Sequence, residues 1–130
     1  MRLIFVSLFI IFISACANTG TSEPFLNQTP ITQYDSLNDY WLSDKKMQPL
    51  RYLTKEQYKH MKGKKIKIEA KYLIDSNGDV HHVEILKSNV DIPMESLVKK
   101  TLQKQDFYPS QSNSSKRPII AYAGLEFACN

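Results

Sequence analysis

The chain has 130 residues, a formal net charge of +4 and 42% hydrophobic residues. That length suits one small domain rather than two. The charge is only mildly basic and part of it sits at Arg2, which excludes the strongly basic balance of a nucleic-acid-binding protein.

Met1-Arg2 is a short basic start, and the apolar run Leu3 to Ile13 is broken only by Ser7. The run falls well short of the ~20 residues needed to span a bilayer and has the form of a secretory leader. Its exit, Ile13-Ser14-Ala15-Cys16, resembles the bacterial lipobox. That resemblance implies a signal peptide over residues 1–15, lipidation of Cys16, and export to the cell envelope. Ala17 in place of Asp after the Cys resembles lipoproteins sorted to the outer membrane, so the periplasmic face of that membrane is the expected location. An ordinary secreted protein cleaved at another small residue is the alternative. Of the two cysteines, Cys129 is then left unpaired in an oxidising compartment. It reads as a small apolar residue closing the last strand, with an intermolecular disulfide as the alternative.

Residues 16–48 read as the lipid-bearing Cys and a flexible tether, rich in Ser, Thr and Asn, with Gly20, Pro24 and Pro30 and no sustained period. As coil it would reach on the order of 30 Å. One turn of helix capped by Ser36 would place Leu37, Tyr40 and Trp41 on one side, with Trp41 packing back on the domain or contacting a partner.

The folded domain is expected over 49–130. Thr54 and Gln57 form a capping box for a helix that ends at Gly63. Ile66, Ile68, Ala70, Tyr72 and Ile74 then occupy every second position, the period of a strand with one buried face. Asp75 to Asp79 reverses the chain through Asn77-Gly78, the strongest short hairpin signal. Val80 and Val83 on the return strand lie three apart, so a bulge at His81-His82 is needed to turn both inward. Asp91 and Pro93 open a second helix, with Met94, Leu97, Val98, Thr101 and Leu102 as its apolar stripe. Phe107-Tyr108-Pro109 ends it and a polar loop follows. Ile119, Ala121, Ala123, Leu125 and Phe127 alternate as a last strand. The order α-β-β-α-β predicts an α+β fold: a three-stranded, mainly antiparallel sheet with two helices on one face.

Other chemistry is weakly signalled. The run Asp75-Ser76-Asn77-Gly78-Asp79 imitates a calcium loop, yet Val80 and Leu86 stand where Gly and the bidentate Glu are needed. Adjacent His81 and His82 on a strand face opposite ways and chelate poorly. No nucleophile-and-base set and no Gly-rich phosphate loop is recognisable, so no metal, no cofactor and no enzymatic activity are expected.

Gly63 to Phe127 resembles the C-terminal domain of the TonB family. The residues that carry this are Gly63 before an alternating strand, Gly78-Asp79-Val80-His81-His82-Val83 as the G-x-V-x-x-V turn and strand, Ser88 after it, Phe107-Tyr108-Pro109 as F-x-P, and Leu125-Glu126-Phe127 at the end. Tyr52-Leu53 departs from the family's Tyr-Pro, and the leader lacks the motor-coupling His and the Pro-rich spacer. The resemblance implies a module that takes an extended peptide of an envelope protein, such as a TonB-dependent receptor, as an added strand beside the last strand. Carried over, the partner-binding residues are Ile119, Ile120, Tyr122, Gly124, Glu126 and Phe127. Gly124 would allow close backbone approach, or simply mark a kink. A structural or accessory subunit of an envelope transport or secretion assembly, using the same fold to oligomerise, and an energy transducer with a retained N-terminal anchor are the alternative readings.

Overall fold

Alternation in the sequence becomes two long strands flanking a third. The computed structural model describes residues 23–130, with β1 (Trp41–Leu42), α1 (Lys55–Met61), β2 (Lys65–Ile74), β3 (Val80–Ser88), α2 (Glu95–Gln103), β4 (Tyr108–Pro109) and β5 (Ile119–Ala128). The expected leader, residues 1–15, and the lipidated Cys16 lie outside the described residues. The main sheet has the order β3-β2-β5 with both pairings antiparallel, and β1 pairs with β4 in a second, two-stranded sheet. The fold is α+β, with the expected order of helices and long strands.

The apolar residues of β2 and β5 form one buried face, from Ile66 and Phe127 at one end to Ile74 and Ile119 at the other. Met61 of α1 and Leu97, Val98 and Leu102 of α2 cover that face, each at most 1% exposed. Each such side chain contributes about 1.5–3 kcal/mol by leaving water. The capping box forms in full: Gln57 N donates to Thr54 Oγ1 at 3.1 Å and Thr54 N to Gln57 Oε1 at 3.0 Å. Gly63 takes φ +77° just beyond α1, which is why a glycine stands there.

The hairpin bulges one residue later than expected. Lys71 pairs with Glu84 and Leu73 with His81, so His82 and Val83 both face Tyr72. His82 absorbs the kink at φ +53°. Val80 is thereby buried and Val83 packs against the core, as the spacing requires. A second shift sets Leu86 outside the ladder, between Ile85 opposite Ala70 and Lys87 opposite Glu69.

Two expectations are corrected. Helix α2 starts at Glu95 with Met94 at its N-cap, so Asp91 and Pro93 precede the helix; Met94 is 1% exposed, and its burial sets the start in place of a side-chain cap. Residues 23–48, expected as a tether, are tied to the domain at several points, with Trp41 the one buried residue among them. Phe25 N donates to Asp75 Oδ2, Asn27 N to Ser76 Oγ, and Trp41 is 1% exposed with Nε1 donating to Arg117 O. The ordered unit therefore begins well before Pro49. The cause is the hole these residues fill, since Trp41 lies against Gly78 and its strand pairs with Tyr108–Pro109.

Candidate functional site

The two outer strands of the main sheet differ in kind. β3 is bulged twice, which breaks the even spacing of its backbone groups. β5 keeps register with β2 without a shift over ten residues, Ile119 to Ala128. It is therefore the regular margin of the sheet.

Backbone direction along β5 follows from its first residues. Ile31 N donates to Pro118 O and Ile120 N donates to Ile31 O, both at 2.9 Å, so the even-numbered groups point away from β2. Tyr34 Oη adds a bond to Ile120 O at 2.9 Å. By the alternation of an antiparallel ladder, Tyr122, Gly124, Glu126 and Ala128 also direct N–H and C=O outward. Among the described residues, no backbone group pairs with them. A stretch about four alternate residues long is thus open to a further strand, while the start of the edge is taken by Ile31.

The expected partner-binding residues divide accordingly. Tyr122 is 58% exposed, Gly124 and Glu126 are exposed, and Ile120 is half-buried. Ile120, Tyr122 and Glu126 carry their side chains on the face away from the helices, and Gly124 lies on the same face. Ile119 and Phe127 are corrected: both side chains are in the core, and their odd positions turn their backbone groups toward β2. They support the edge from behind. A Cβ at Gly124 would find open space. Nothing among the described residues approaches this position closely enough to require a glycine.

Electrostatics along the edge are local. Lys65 Nζ lies 2.6 Å from Glu126 Oε1, and this hydrogen bond, then the charge, holds the Glu126 carboxyl below the usual carboxylate range. Burial, with a smaller effect of Tyr122, raises Tyr34 above the ordinary phenol value.

The turn at Asp75 gathers three side chains of metal-ligating type. Asp75, Asp79 and His81 each offer an atom within 4.8 Å of the others. Asp75 Oδ1 already accepts from Asn77 N and Asp79 N at 2.9 Å, and Oδ2 from Phe25 N at 3.1 Å and His81 Nε2 at 2.8 Å. A cation would have to displace these donors, so the buried carboxylate is a lock joining the turn to the N-terminal segment. Sequence reasoning missed this lock, and it missed Asn113, which is 1% exposed and bonds Tyr40 O and Arg117 N. A polar residue inside a loop carries no periodic signal.

Among the described residues no helix is long and apolar enough to cross a membrane. No family model, curated protein or solved structure matches the chain.

Proposed function

We propose that the chain is a protein-binding module that takes an extended segment of an envelope protein as an added strand on β5. The reading includes a lipid at Cys16 that anchors the module to the periplasmic face of a bacterial outer membrane. The observation that carries it is the unbulged β5 margin, with outward N–H and C=O groups at Tyr122, Gly124 and Glu126 beside a bulged β3. Strand addition needs such a row of unpaired backbone groups, and the exposed alternate side chains then supply choice. Ile31 of the same chain already pairs with the first of these groups, which supports the reading. The resemblance to the TonB C-terminal domain agrees with this use of the last strand and suggests a TonB-dependent receptor as one source of the guest.

The anchor geometry adds to the reading. Packing begins near Phe25, so the chain between Cys16 and Glu23 spans at most about 25 Å. A lipidated module would be held close to the bilayer rather than on a long tether.

The test is amide-resolved titration of the mature chain, residues 16–130 with Cys16→Ser, against eight-residue peptides from N-terminal segments of TonB-dependent receptors. Shifts centred on Tyr122, Gly124 and Glu126 are expected, and Gly124→Pro should weaken binding at least tenfold while the fold persists. Proline there removes an outward N–H and leaves the β2 ladder intact. Shifts elsewhere, or none, count against the reading. Shifts at the same amides that follow protein concentration alone would instead favour homo-oligomerisation.

A further inference from the structure

A groove of about 790 Å³ opens at the C-terminal end of β5, walled by Leu50 and Leu53 on one side, Tyr58 and Lys59 of α1 on another, and Ala128 to Asn130 on the third. Leu50 is 50% and Tyr58 39% exposed, so its apolar wall faces water. Lys55, Lys59 and Lys62 line it, none of the lining side chains is acidic, and Tyr58 Oη donates to Asn130 O at 2.5 Å across it. Lys55 and Lys59 lie one turn apart on one face of α1, and Lys62, the residue after the helix, lines the groove as well. The helix dipole accounts for Lys59 in the last turn. It opposes Lys55, the first residue of the helix, so local electrostatics leaves one cation of the stripe unexplained.

We infer that this groove binds a peptide segment in which an apolar side chain is flanked by carboxylates, the apolar group against Leu50, Leu53 and Tyr58 and the carboxylates against Lys55 and Lys59. The inference rests on the strand-addition reading for its partner, because Ala128 belongs both to the groove and to the open margin, so a guest leaving that margin enters the groove. An anionic membrane surface offers similar charge, but the groove lies at the end of the sheet opposite the first described residues. The N-terminal segment leaves at the hairpin turn, where Phe25 bonds Asp75 and Ser76, beside the Ile74–Ile119 pair. The groove lies at the other end of the same strands, beside the Lys65–Ala128 pair, about 30 Å away at the usual rise per residue.

Three probes decide it, each titrated into the labelled mature chain, residues 16–130 with Cys16→Ser. They are a peptide of Glu-Leu-Glu followed by Val-Thr-Val-Thr, the same peptide with Lys-Leu-Lys, and phosphatidylglycerol vesicles. The acidic peptide should shift the Leu53, Tyr58, Lys59 and Cys129 amides, bind at least tenfold more tightly than the basic one, and weaken as salt is raised. Lys55→Glu with Lys59→Glu should reverse the preference. Equal responses, no response, or a response to vesicles alone would overturn the inference. Amides of Tyr122 and Gly124 report separately on the margin. Groove shifts without margin shifts would sink strand addition and keep the groove, and the converse would keep strand addition and sink the groove.

Discussion

Ile31 forms a parallel bridge with Ile119, so the chain's own N-terminal segment supplies the first rung on the outer side of β5. Its two backbone bonds use Pro118 O and Ile120 N, and beyond them the outward groups are free among the described residues. Hydrogen exchange should resolve that boundary. The Ile120 amide is expected to exchange slowly and those of Tyr122, Gly124 and Glu126 quickly, with the odd-numbered amides of β5 protected by β2. Slow exchange at Tyr122, Gly124 and Glu126 in the isolated protein would mean that the margin is already covered.

Trp41 makes the N-terminal segment part of the fold. A chain begun at Pro49 loses this buried ring, its bond to Arg117 O and the β1–β4 pairing. Losing a buried Trp alone costs about 3–5 kcal/mol, a large share of a small domain's stability. Relative to a chain begun at Glu23, the shorter one is expected to melt at least ~15 °C lower or without a cooperative transition. Equal melting temperatures would show that residues 23–48 are dispensable.

Gly78 sits at φ +83° with its α-carbon turned to Phe107, and a Cβ there would come within 2.2 Å of Phe107 O. Gly78→Ala therefore combines a left-handed backbone penalty with a clash against main chain. The expected loss is about 2–5 kcal/mol, read by chemical denaturation. A loss under about 0.5 kcal/mol, the scale of an unremarkable surface change, would contradict the packing described.

Glu126 and Lys65 make a pH-dependent pair. The lowered carboxyl pKa means that their contribution is present above the unfolded-state value and is lost as pH falls through the folded-state value. Both side chains are more than half exposed, so salt screens the pair and its effect on stability is small. A carbon-detected titration should place the Glu126 midpoint below the ordinary glutamate value, and Lys65→Met should move it up. An unchanged midpoint in that variant would separate the two groups.

The helices and the long strands were legible because each repeats a short period. Ile66 to Ile74 and Ile119 to Phe127 alternate, Leu97 to Leu102 follow the helical stripe, and Thr54 with Gln57 announces a start. The bulge was legible too, because Val80 and Val83 cannot both face inward without one extra residue. The two faces of the last strand were legible: positions 120, 122, 124 and 126 lie away from the core, while Ile119 and Phe127 are buried in it.

Local period, turn chemistry and caps were thus determined by the sequence by itself, since each depends on residues within a few positions of one another. Tertiary structure alone decided that Ile31 covers the start of β5, that Trp41 fills the space beside Gly78, and that Asp75 locks Phe25 to the turn. These contacts join residues tens of positions apart, and no local pattern encodes which cavity a side chain fills or which backbone group it pairs. That is a property of the closed chain, in which every buried polar group must find its partner.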